Sequence, residues 1–402
     1  MKKFKLGLFG RILIAIVVGV ALGTLFSHCG GAGDVMVRIF KTVNMLFAQL
    51  LKFVVPLLIL GLVTPAIADV GKGAGAMLVV VMAISYCSTV CAGFFGHACA
   101  GALLPHYVQK GLVASVGNGK EFLPYIKLTI PPICDVLTAL ALSFMVGVGI
   151  IVTGAKSLKR GADEFSEIVR LTIMNVIIPG LPFYIMTMIC EMTAAGKFAA
   201  CAGTMLKVIA TGIGLSITYL LILYIIAGVV SRRNPFACLW RMLPAYMTGL
   251  SLASSSAVIP ITLQCCEKNG ISKDIRNFVV PLCANVHMVG SVIKLVTSVY
   301  AIVIIYGLDI PFAQTANFVF MVGIAAVAAP GVMGGVLMAS VGLLETILGL
   351  APEHTALMMT FYLALDGYGA AANVTGDAAI AMIADRFFGA GKKGREGDGE
   401  RR

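Results

Sequence analysis

The chain has 402 residues, of which 59% are hydrophobic and only 12% charged. A soluble domain carries about 25% charged residues, so a water-soluble enzyme or binding module is excluded. The formal net charge is +11, but its distribution argues against nucleic acid as a partner. Basic residues cluster between apolar runs: Lys2, Lys3, Lys5 and Arg11; Lys156, Lys159 and Arg160; Arg232, Arg233 and Arg241; Lys268, Lys273 and Arg276; Arg386, Lys392, Lys393 and Arg395. These are the places of cytoplasmic loops under the positive-inside rule. The expectation is a multi-pass protein of the cell membrane with both termini cytoplasmic and membrane lipid around it.

In chain order, full spans are predicted at residues 12–27, 38–68, 75–104, 130–154, 168–192 and 203–231. The basic start and the run from Ile12 to Phe26 have the outline of a signal peptide, but no soluble domain follows, so an uncleaved first span is expected. The second run contains Lys52 and Pro56, which predicts a long, tilted or bent helix. Residues 105–128 form the longest polar interval and read as an outside loop.

From Asn234 onward the pattern changes. Ala237 to Cys266 is apolar enough to span but is broken by Ser254, Ser255 and Ser256 and by Pro260. Each limb is too short to cross, so a hairpin that enters and leaves on one side is predicted. Phe278 to Tyr306 is a span interrupted at Asn285, Val286 and His287, with Gly290 just after. Ala316 to Leu350 is again broken, at Ala328, Ala329, Pro330 and Gly331. Breaking a helix frees backbone N–H and C=O groups, which survive at membrane depth only where they line a wet cavity or bind something. Paired discontinuous segments point to a transporter's substrate site.

The last span, Thr355 to Ala384, contains no charge except Asp366 and Asp377. Ionisable groups in a spanning helix mark a site by default. The steps from Asp366 to Asn373 and to Asp377 return to nearly one helix face over ~16 Å of rise. The cysteines lie mostly in apolar runs without paired CxxC sets, which reads as buried thiols rather than a zinc site.

These residues carry a resemblance. Asn373-Val374-Thr375-Gly376-Asp377, Ser254-Ser255-Ser256 with Pro260, Pro330-Gly331, Phe278-Val279-Val280-Pro281-Leu282, and Tyr86 with Thr89 occur in the order and separation of the dicarboxylate/amino acid:cation symporter family. The chain resembles that family over almost its whole length, closest in character to neutral amino acid (serine/threonine) members. The resemblance implies an all-α polytopic membrane fold of eight transmembrane helices plus two re-entrant helical hairpins, working as an elevator in a homotrimer. It implies a scaffold at about residues 8–68 and 129–192, a moving core at about 73–104, 197–231 and 236–386, and a charged tail at 387–402.

Carried over residue by residue, Asp366 pairs with the substrate's α-amino group and Asn373 donates to its α-carboxylate. Ser254, Ser255 and Ser256 and the second tip, Ala329, Pro330 and Gly331, close around the substrate. Asp377 is a sodium ligand, with carbonyls of Cys283, His287 and Asn373; Tyr86, Thr89 and Asn285 complete the cation sites. Hard cations prefer such oxygens.

The chain also departs from the family. Acidic amino acid carriers place an arginine three residues after the aspartate matched by Asp366; here that position is Gly369, followed by Ala370. The alternative arginine position is Ala253. Burying a carboxylate without a cation is costly, so the expectation is a small neutral amino acid such as serine, threonine or alanine, with an acidic amino acid or a dicarboxylate as the alternative. In the interrupted span the family's NMDGT is His287-Met288-Val289-Gly290-Ser291, and a serine beside Thr89 is Val90. These changes remove side-chain ligands of one sodium site. Lys294 then either fills that space or reaches to an interface, and His287 either binds a proton or hydrogen-bonds as a neutral ring. Sodium is the expected coupled ion, with a proton as the alternative.

Two other classes fit the sequence less well. An intramembrane aspartyl protease needs two carboxylates sharing a proton, but Asp366 and Asp377 are ~16 Å apart along one helix. An ion channel needs rings of repeated charge or carbonyl, and none is evident.

Overall fold

The computed structural model describes residues 8–70, 76–112, 122–134, 136–329, 334–364 and 366–389; the side chains of Ala328 and Asp366 are among the few there that it leaves undescribed. Its described elements are helices. In order they are α1 (Leu8–His28), α2 (Gly30–Val70), α3 (Ala76–Leu103), α4 (Val136–Thr153), α5 (Lys156–Thr172), α6 (Ile178–Ala194), α7 (Phe198–Ser231), α8 (Pro235–Arg241), α9 (Leu243–Leu252), α10 (Ser255–Lys268), α11 (Lys273–Val286), α12 (Val289–Tyr306), α13 (Phe312–Ala328), α14 (Gly335–Thr346), α15 (Pro352–Ala364) and α16 (Asp366–Ala384). Among the described residues, five helical stretches are long and apolar enough to cross a membrane: Gly10–His28, Ala76–His106, Lys156–Ala194, Ala202–Ser231 and Lys273–Tyr306.

Sequence-level boundaries shift where local chemistry overrides hydropathy. The fourth span starts at Val136 rather than residue 130, because Pro131 and Pro132 each push the residue before them out of the helical region, and they lie within an irregular stretch. The fifth begins at Lys156, twelve residues before its apolar part. Arg160 bonds Glu164 at 2.9 Å and Lys159 pairs with Asp163, so neighbours one turn apart stabilise a polar helical extension. That helix runs through a π-turn, Ile173–Ile177, into α6. Helix α2 is continuous across Pro56 and Pro65.

Two sets of helices pack mainly within themselves. Helices α1, α2, α4, α5 and α6 form one. Helices α3, α7 and α9 to α16 form the other, around α12 and α16. In the first set Gly19 and Gly23, one turn apart on α1, face backbone carbonyls of Met186 and Cys190 so closely that a Cβ would sit 2.6 and 2.5 Å from them. This is close packing of membrane helices through small residues. In the second set nearly every residue of α12 and α16 is buried. Helices apolar all round belong in the middle of a bundle.

Both predicted breaks in the broken runs occur. Between α9 and α10 the turn is Ala253, at φ 49°, and Ser254, whose hydroxyl accepts from the Ala257 N–H at 3.4 Å. Pro260 is not part of the break: it lies inside α10, which continues past it. Between α13 and α14, Ala329 turns extended and Gly334 is left-handed. Pro330 and Gly331 lie outside the described residues.

Just past the last span, Asp385 ties three elements. Its Oδ2 accepts from Arg233 at 2.6 Å and its Oδ1 from the Ser272 hydroxyl at 2.6 Å and N–H at 3.0 Å. Burial would push this carboxyl up, but the Ser272 donors and Arg233 hold it below the usual carboxylate range. A depressed carboxylate adds stability above its unfolded pKa, about 4, and that stability is lost as pH falls through the folded value. We expect Asp385→Asn to flatten the acid limb of the stability–pH curve below about 4, read as unfolding in detergent. An unchanged acid limb would show that this tie contributes nothing.

Candidate functional site

The site is built where α12 starts against α16. Helix α11 ends at Val286, and His287 and Met288 leave the helical region, so α12 begins without a capping side chain of its own. Its free N–H groups need partners in the interior. Asn373, on α16, supplies one: its Oδ1 accepts from the N–H groups of Gly290 at 2.8 Å and Ser291 at 3.2 Å. Its Nδ2 donates to the Ser291 hydroxyl at 2.9 Å and toward Met288 Sδ at 3.2 Å. Thr89 of α3 accepts from the Met288 N–H at 3.3 Å. The asparagine placed by resemblance at the substrate is thus also the cap of the broken helix from the neighbouring one.

One turn along α16, Asp377 is buried. Its Oδ1 is 3.2 Å from His287 Nδ1, and His287 Nε2 is 3.0 Å from the Ser88 hydroxyl. With the carboxylate ionised, Nδ1 donates to it and Nε2 accepts from Ser88. Tyr219 donates to the Ser88 carbonyl at 2.6 Å. Asp377 Oδ2 is buried with no hydrogen-bond partner among the described residues. A buried carboxylate oxygen of that kind, beside a broken helix, fits a hard cation such as sodium. The Cys283 carbonyl already accepts the His287 N–H at 2.8 Å, so one lone pair remains there for an ion.

The other expected positions fall as follows. Ser255 is buried at the first tip, and Ser256 donates to Asn285 Oδ1 at 3.4 Å, joining that tip to the α11 terminus. Asn285 also donates to the Pro281 carbonyl at 3.2 Å. Tyr86 is half-buried with its ring against Gly323 of α13. Ala329 and Ala370 are buried. Asp366 opens α16, three residues before Gly369.

The space beside Val289 is not open. Val289 Cγ2 and His287 Cε1 both abut Gly376, 3.3 and 2.8 Å from where its Cβ would lie. Lys294 does not reach an interface. It is fully buried, with Nζ 3.7 Å from the centre of the Tyr362 ring. Its Nζ and Cε each lie 2.9 Å from the Cβ position of Gly369. Gly369 and Gly376 are ~10 Å apart along α16. The sequence shows Lys294 and Gly369 separately; only the helix crossing brings them together. That crossing is tight, since a Cβ on Gly290 would lie 2.5 Å from Ala372 Cβ and 2.6 Å from the Gly369 carbonyl oxygen.

Comparison with known proteins supplies the family. Excitatory amino acid transporter 3 of Mus musculus is 33% identical over 166 residues, 41% of this chain and 32% of the relative. Excitatory amino acid transporter 1 of Ambystoma tigrinum is 29% identical over 292 residues, 70% of this chain and 53% of the relative. The protein of that name from Rattus norvegicus is 26% identical over 288 residues, 69% of this chain and 52% of the relative. The chain thus spans from about a third to about half of these relatives' lengths. A family model described as the sodium:dicarboxylate symporter family, one of transporters rather than enzymes, matches residues 8–387. With that match over nearly its whole length, the chain belongs to the sodium:dicarboxylate symporter family.

Proposed function

We propose that this protein is a secondary active transporter that couples uptake of a small amino acid to entry of sodium. The observation that carries the reading is the unpartnered, buried Oδ2 of Asp377 beside the broken helix. A carboxylate oxygen without a donor in a membrane interior is costly, and a co-transported cation offsets that cost when it binds. The two helix sets support an elevator, with α1, α2 and α4 to α6 as scaffold and the remainder as the moving core. The turns at Ala253–Ser254 and after Ala329 support two re-entrant hairpins among eight spans. In this reading the working unit is a homotrimer in the cell membrane with cytoplasmic termini.

Two substrate readings divide on the cation beside Gly369. A small neutral amino acid such as serine, threonine or alanine is the first, since α16 itself carries no cation at Gly369 or Ala370. A specific observation favours the second reading, an acidic amino acid: the Lys294 ammonium lies against Gly369. The relatives' names, excitatory amino acid transporters, point the same way.

Proteoliposome uptake of labelled aspartate, glutamate, serine, threonine and alanine, under imposed sodium or pH gradients, tests this. Saturable uptake driven by the sodium gradient is the expected result. Uptake driven by the pH gradient alone would replace sodium by a proton, and indifference to both gradients would remove symport.

A further inference from the structure

Three arginines around α8 are treated differently by the fold. Arg233 turns inward, where its guanidinium donates to the Gly270 carbonyl at 2.9 Å and to Asp385 at 2.6 Å. Arg232 and Arg241, which bracket α8, are exposed, and neither has an acidic partner among the described residues. Arg232 directly follows the apolar stretch Ala202–Ser231, at the level where a span meets the headgroups. A tight turn keeps α8 at that level. A Cβ on Gly228, in the last turn of α7, would lie 2.9 Å from both the Arg233 carbonyl oxygen and Pro235 Cβ. Asn234 then starts the helix, its Oδ1 accepting from the Ala237 N–H at 3.1 Å.

From this corner an apolar stripe runs into α9. Phe236, Trp240, Leu243 and Met247 recur at helical steps and are exposed, Trp240 by 74% and Phe236 by 65%. Cys238, Met242, Ala245 and Gly249, on the opposite stripe, are buried. Exposed aromatic rings at the end of a span suit the boundary between acyl chains and headgroups. Chains alone would satisfy the stripe, but not two guanidinium groups without a carboxylate. The planar guanidinium fork matches phosphate oxygens, while a soluble anion would leave the stripe bare. We infer that this corner is a binding site for an anionic phospholipid. Arg232 and Arg241 hold its headgroup, and its acyl chains lie along Trp240 and Met247. In the topology expected from the basic clusters it belongs to the cytoplasmic leaflet. The lipid thereby anchors the foot of the first hairpin, whose tip is Ala253 and Ser254.

Trp240 is the chain's single tryptophan, so its fluorescence reports on this corner alone. The test uses the full chain reconstituted in phosphatidylcholine bilayers, with bromine-labelled phosphatidylglycerol or bromine-labelled phosphatidylcholine as quencher. In wild type the anionic lipid is expected to reach half-maximal quenching at a mole fraction about 25-fold lower, about fivefold for each arginine. Arg232→Gln combined with Arg241→Gln is expected to remove that advantage. Each single variant is expected to lose about fivefold, which keeps the test open if the double variant does not fold. Equal quenching by the two lipids in wild type, or an advantage that survives the substitutions, overturns the inference. Quenching by neither lipid, as a protein partner covering the stripe would produce, also overturns it. None of these outcomes bears on the symport reading, because the readout needs no transport.

Discussion

Asp377→Asn is expected to abolish sodium-dependent binding and uptake, by at least about 100-fold, or roughly 2.7 kcal/mol. The substitution keeps the volume and an oxygen facing His287 Nδ1, now 3.2 Å from Oδ1. What it removes is the negative charge that a hard cation needs. The fold is expected to persist, because an amide is less costly to bury than an unpartnered carboxylate. Sodium titration by intrinsic fluorescence, with size-exclusion profiles as the folding control, separates the two effects. Wild-type sodium affinity in this variant would show that Asp377 is not the cation ligand.

The second large effect is expected at the crossing of α12 and α16. Gly290→Ala places a methyl group 2.5 Å from Ala372 Cβ and 2.6 Å from the Gly369 carbonyl oxygen. Both neighbours belong to the backbone or the first side-chain atom of a buried helix, so neither swings away. Overpacking of this kind costs about 1–3 kcal/mol. The helices must also part, which loosens the two bonds from Gly290 and Ser291 to Asn373; leaving a buried donor unsatisfied adds about 1–3 kcal/mol. Denaturant unfolding in detergent measures the sum. Gly290→Ala combined with Ala372→Gly removes one of the two contacts and is expected to recover part of the loss. A single variant as stable as wild type would mean that the crossing yields without cost.

The helical breaks were readable because they depend on local chemistry. Ser254 before an apolar limb, Ala329-Pro330-Gly331 between two limbs, and Asn285 to His287 within a span each announce a discontinuity by residue type. The exceptions have equally local causes. Pro260 sits within α10 without ending it, because the serines before it already make the turn, and the polar start of α5 is held by side-chain pairs that hydropathy does not register. Asp377 was legible as an intramembrane charge. The position of Lys294 was not, since five residues past Val289 specifies a place on α12 but not what α16 presents there. Gly369 read as a missing cation, and the neutral-substrate expectation followed from it. In the fold the missing side chain is the reason a cation from another helix fits.

Gly369, Asn373 and Asp377 recur at one-turn intervals on α16. The first and the third are ~12 Å apart in rise, too far for direct contact between what binds at each. The amide between them is clamped to the start of α12 by four polar contacts. In the symport reading proposed above, substrate and ion bind on either side of this clamp, thermodynamic linkage between two binding events is reciprocal, and the clamp is the short physical route such linkage would take. Stoichiometric coupling then needs no moving wire through the protein, only a strut that two occupants share.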